Sequence, residues 1–145
     1  MNWDRQCQSL SDIRQDHLQV LQAESIPQDD GGESASRFEQ VIEHLRLLVP
    51  AGTQQVWLAA EQQTWEPWLR RQPGFLGREL LWDSQHQHGV LFIHWSNHLD
   101  WKSVSASEVA AVQKIFESTA KQLLCLLPDS DNPFPLVYEG EATLP

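Results

Sequence analysis

The chain has little that marks a chemistry. It contains two cysteines in 145 residues, Cys7 and Cys125, in separate segments and without a C-x-x-C pair. That leaves no disulfide framework or zinc knuckle to organise the fold, and idle thiols are expected. No apolar run approaches the roughly 18 residues that span a bilayer. The amino end, Met1-Asn2-Trp3-Asp4-Arg5-Gln6, lacks the basic and apolar regions of a secretory leader. A cytoplasmic protein with no membrane partner is expected. The Gly-x-Ser-x-Gly elbow of hydrolases is missing, as are Gly-rich phosphate loops. Basic residues are also scarce, with 10 Lys and Arg against 20 Asp and Glu. No basic stripe is available to neutralise phosphates, so nucleic acid is not an expected partner.

The acidic excess sits in the flanks. Residues 1–37 hold 3 basic against 7 acidic residues, residues 38–127 hold 7 against 9, and residues 128–145 hold none against 4. A chain of this length supports one core. The organisation read from it is an N-terminal arm and linker over 1–37, a domain over 38–138 and a C-terminal tail over 139–145. In the arm, Trp3, Cys7, Leu10, Ile13, His17, Leu18 and Leu21 recur at threes and fours, which predicts one amphipathic helix within 1–25. The polar, glycine-bearing stretch 28–36 reads as the linker.

Within the domain, residues 38–49 are apolar on both parities, as in a strand covered on both faces. A helix from about Thr53 carries Val56, Trp57, Ala60, Thr64 and Trp68 on one stripe, with Pro67 expected to bend or restart it. Pro73-Gly74 opens a hairpin whose strands run from Phe75 to Trp82 and from Gly89 to Trp95, joined by the polar turn 83–89. Ser105 and Glu108 fit a capping box ahead of a helix with Val109, Val112, Phe116, Ala120 and Leu123 on its stripe. Residues 134–138 read as a short last strand, confined to an edge by its prolines. The predicted class is α+β, a ferredoxin-like β-α-β-β-α-β order with an antiparallel sheet. Apolar residues on both parities of 41–49 predict a second copy over the open face, hence a homodimer.

The segments Val41-Ile42-Glu43-His44-Leu45, Trp65-Glu66-Pro67-Trp68, Pro73-Gly74-Phe75-Leu76-Gly77 and Ile93-His94-Trp95-Ser96 carry a family likeness. Over about residues 39–124 the chain resembles the dimeric α/β-barrel superfamily, which includes antibiotic-biosynthesis and haem-degrading monooxygenases, and within it a small cyanobacterial group. The resemblance implies two sheets joined in a barrel and a ligand held between sheet and helices. Carried over by position, the first-strand site residue of the haem-degrading members falls on His44 and the strand-ending Trp on Trp95. Their axial histidine falls near Gln113, which offers no imidazole to iron, and no cofactor is expected.

Strand parity puts Ile42, His44 and Arg46 on one face and Leu91, Ile93 and Trp95 on one face of the neighbouring strand. The candidate reacting group is therefore His44 with Trp95, supported by Arg46. Ile42, Leu91, Ile93, Trp57 and Trp82 are the expected lining of an apolar pocket for a small hydrophobic or aromatic ligand. The same tryptophans equally suit a core or an interface, and His44 equally suits a partly buried structural histidine. No metal site is expected, because His86 and His88 alternate sides on an extended chain and no carboxylate or Cys ligand is fixed by spacing. Two functions remain open. One is a non-catalytic ligand-binding or interaction module, the preferred reading. The other is a cofactor-independent monooxygenase acting on a small aromatic substrate.

Overall fold

The computed structural model describes residues 18–23 and 40–142. Along the chain these form β1 (Leu18–Ala23), β2 (Val41–Leu48), α1 (Gln54–Leu69), β3 (Phe75–Asp83), β4 (His88–Trp95), α2 (His98–Lys102), α3 (Ala106–Leu123) and β5 (Leu136–Ala142). The five strands make one sheet in the order β1-β3-β4-β2-β5, every pairing antiparallel. The four strands after β1 follow an arrangement consistent with a ferredoxin-like fold, with β1 added beside β3.

Cross-strand register sorts the side chains into two faces. Opposed residues share a face, so Glu43, Leu45 and Leu47 of β2 stand with Ile93, Leu91 and Gly89 of β4, and these with Arg78, Leu80 and Trp82 of β3. This face meets the two long helices. Trp57, Ala60, Trp68 and Leu69 of α1 and Val112, Phe116 and Ala120 of α3 close the core with it. The Trp57 ring lies so close to β4 that a Cβ at Gly89 would come within 2.8 Å of it, and the Trp82 indole donates to the Val49 carbonyl at 3.0 Å.

The hairpin forms where its turn residues place it. Asp83 Oδ1 accepts from the backbone N–H groups of Gln85 and His86, an Asx turn, while Gln87 takes a positive φ of 55°. Gly74, at φ 82°, lies against the Asp100 carboxylate, where no Cβ would fit. Asn97 caps the short helix α2 by accepting from the Asp100 N–H.

Several expectations need correction. Leu18–Ala23 is a strand paired with β3, not part of a helix, because Gln19 and Gln22 face the helix side of the sheet and Gln22 bonds to Glu66 and Gln62 on α1. The rest of the predicted arm helix and Cys7 lie outside the described residues. Pro67 does not interrupt α1; it sits in the last turn, and the Arg70 N–H still reaches the Glu66 carbonyl at 3.0 Å. The last strand starts later than expected and reaches Ala142, so most of the segment read as a tail pairs with β2. The capping box is half formed. Ser105 accepts from the Glu108 N–H, but the Glu108 carboxylate takes the Trp68 indole at 2.8 Å and ties α3 to α1.

One buried ion pair links the layers. Arg78 and Glu61, each 1% exposed in the side chain, meet at 2.6 Å, and Arg78 reaches Glu66 at 3.4 Å. Removing one partner strands a charge in the core, so Arg78→Met is expected to cost about 3–5 kcal/mol, while Arg78→Met with Glu61→Met should recover much of that loss. Urea unfolding of the three proteins checks this, and a double variant no more stable than the single one would refute it.

Candidate functional site

The helix-side face of the sheet does not meet the helices everywhere. Between them lies a cavity of about 440 Å³, mostly apolar. Its sheet wall is Leu45, Leu47, Leu91, Ile93 and Trp95, with Glu43 set among them. Helix α1 contributes Trp65 and Trp68, α2 contributes Trp101, and α3 contributes Val109 and Gln113. Phe134 and Leu136 close the end near β5.

Glu43 is the polar feature of this wall. Trp95 donates its indole N–H to Glu43 Oε1 at 3.1 Å. Burial pushes the carboxyl above its ordinary value of 4.5, against the lowering effects of the Trp95 and Trp101 indoles and of the Lys102 ammonium, while the Glu139 charge adds to the rise. Two strands away on the same row, with Ile93 between, Arg78 stands about 10 Å from Glu43. Its guanidinium is already engaged by Glu61 and Glu66, and its Nε is buried without a partner. Burial pushes the Glu61 carboxyl up, and the Arg78 charge pulls against that rise.

The sequence-predicted residues divide between the two faces. Trp95, Leu91 and Ile93 line the cavity. His44, Arg46 and Ile42 do not, because the register Ile42–His94, His44–Phe92 and Arg46–Val90 places them on the opposite face. The pairing of His44 with Trp95 is therefore corrected. The two strands were each read on the right parity, but parity along one strand says nothing about which parity of its neighbour shares the face. Trp57 and Trp82 are buried in the packed core rather than in the cavity. Gln113 does reach it.

On the opposite face His44 belongs to a polar chain. Its ring contacts Phe92 and Tyr138, with centroids 4.8 and 4.9 Å away, and Arg46 Nε donates to its Nε2 at 3.1 Å. Burial and the Arg46 charge both depress its pKa, so the imidazole is neutral with Nε2 as acceptor. Arg46 continues to Asp83 at 2.9 Å, and Asp83 to His86 at 2.9 Å. His86 and His88 do not point apart as an extended chain would require; the turn stacks their rings at 5.5 Å.

No family model, curated protein or solved structure matches this chain. The geometry therefore carries the functional argument. What sequence reading missed was Glu43, Trp101 and the Arg78–Glu61 pair. For Glu43 the signal was present: an acidic residue on the same parity as Leu45 and Leu47, in a strand whose partners are apolar. Trp101 had no such signal, since α2 is too short to show a period.

Glu43 sets a pH dependence whose sign is fixed. Its folded-state carboxyl holds a proton to higher pH than in the unfolded chain. The stability it contributes is therefore full below the unfolded value and is lost as pH rises through the folded one. Glu43→Gln removes this loss. The variant is expected to gain on the native protein progressively as pH rises above the ordinary carboxylate range, as read from urea midpoints; a gap that stays constant with pH would contradict the assignment.

Proposed function

We propose that this chain is a cytosolic, non-catalytic ligand-binding protein of the dimeric α/β-barrel kind, holding a small flat apolar ligand between its sheet and helices. The cavity carries this reading. Ligand pockets of this size are typically apolar with a few placed polar groups, and here four tryptophans share the lining with Glu43, whose carboxyl accepts the Trp95 indole N–H.

Assembly is part of the proposal. The face opposite the helices carries Val20 and Tyr138, 44% and 46% exposed, beside Phe92 and Leu81. A second copy laid on this face would cover them and close the two sheets into a barrel. That face is more polar than the sequence predicted, because Arg46–Asp83 and His94–Glu79 pairs occupy it. Such pairs also fix the orientation of a partner.

The monooxygenase alternative has one observation in its favour. Glu43, raised by burial and lying in the cavity, is placed to accept a proton from a phenolic hydroxyl. In that reading Glu43, not His44, is the base, and dioxygen must be supplied as oxidant.

The binding reading is tested with N-phenyl-1-naphthylamine, a neutral fluorescent probe. Saturable binding at one site per chain is expected, and Leu45→Trp, which fills the cavity from the sheet wall, should weaken it at least about tenfold, the equivalent of 1.4 kcal/mol. Light scattering should give twice the chain mass for both proteins. Unaltered probe binding in the filled variant would overturn the assignment of the cavity, and a monomer would overturn the barrel.

A further inference from the structure

The charge around the cavity adds a selection to its apolar walls, and it is not one that an anionic ligand would meet. Glu43, Glu61 and Glu139 line it against one cation, Arg78. That cation is spent, since Glu61 holds it at 2.6 Å and Glu66 at 3.4 Å. Glu43 meets the Trp95 indole and, from outside the cavity lining, the Lys102 ammonium, and no cation of the lining answers Glu139. Glu139 stands on β5 opposite Leu45, one row from Glu43, and its charge acts on Glu43. Among the described residues Glu139 has no ion-pair partner, whereas its neighbour Glu141 is taken by His98 at 2.9 Å.

The aromatic residues match that excess. Trp65, Trp68, Trp95 and Trp101 line the same cavity, and the π faces of tryptophan attract cations more strongly than those of other side chains. The protein already uses one of them in this way. The Lys102 ammonium lies 3.9 Å from the centroid of the Trp101 ring. An indole that holds an ammonium from outside the cavity stands beside the partly buried Glu43 carboxyl inside it.

We propose that the cavity selects an organic cation, an aryl- or alkylammonium whose charge rests near Glu43 and Glu139 against Trp95 and Trp101 and whose apolar body lies on Leu91 and Ile93. This rests on the ligand-binding reading above and adds the class of ligand. A primary or tertiary ammonium donates to Glu43 while an indole face covers its methylene groups. A carboxylate of the same shape meets two like charges. A neutral alcohol gains the apolar contacts and a neutral hydrogen bond, without the charge attraction.

The test uses three ligands of one shape, 2-phenylethylammonium, 2-phenylethanol and phenylacetate, titrated calorimetrically into the full chain at neutral pH. The ammonium should bind at least about tenfold more tightly than the alcohol, and phenylacetate most weakly. Glu43→Gln should bring ammonium and alcohol to within about threefold of each other, chiefly by weakening the ammonium. Glu139→Gln, at an exposed edge position where folding is not at risk, should weaken the ammonium two- to threefold, roughly the effect of one rim charge, and the alcohol not at all. Alcohol binding as tightly as the ammonium would overturn the cation preference while leaving the pocket in place. If none of the three binds, the pocket reading falls with it.

Discussion

The ion pair of Arg78 with Glu61 is the constraint around which this structure is arranged. Both side chains are almost fully buried, one on the middle of β3 and one on α1, and their separation of 2.6 Å fixes the distance between sheet and helix at that point. Glu66, a little over one turn further along α1, shares the guanidinium and accepts from Gln22 of β1, so the same charge cluster holds the added edge strand. Desolvating such a pair has a cost that good geometry only offsets. Its value lies in register: an apolar contact would tolerate a sliding helix, and this one does not.

The cavity is a consequence of that spacing. Where Arg78 and Glu61 meet, the layers are closed. Further along the sheet, toward Trp95 and Glu43, bulky indoles of α1 and α2 prop the helices away from the strands. Trp68 is held by Glu108 and Trp95 by Glu43, so both rings are fixed at their polar ends as well as by packing. Rings fixed in this way cannot collapse into the space they surround.

The two faces of the sheet have separate electrostatic characters. On the helix side, Glu43 and Glu139 sit among indoles, and Arg78, the one cation of the cavity lining, is engaged by Glu61 and Glu66. On the other side, His44, Arg46, Asp83 and His86 form a continuous hydrogen-bonded chain in which each group has a partner. A satisfied network is a surface for packing or docking. An uncompensated carboxyl in a cavity is a site for something that completes it. For this reason the proposed function rests on the face of Glu43 and not on that of His44.

Local sequence alone determined most of the secondary structure of residues 41–138. The alternation and run lengths gave β2, β3 and β4, the Asp83 turn gave the hairpin, and the Ser105 cap with its apolar stripe gave α3, because each depends on neighbours within a few positions. The same local logic failed for Leu18–Ala23. Its threes-and-fours spacing suits a helix, and only the free edge of β3 made a strand the better partner. The order of β2 to β5 was legible; which parity of β2 shares a face with which parity of β4 was not, since register is a property of two segments and no single strand encodes it. Trp95, Leu91 and Ile93 thus line the cavity, while His44 was placed with the wrong neighbours and Glu43 was overlooked. A cavity forms where packing stops, and that is decided by the fit of helices to sheet across residues distant in the chain. The sequence supplied the indoles and carboxyls, and only their meeting in three dimensions made a site of them.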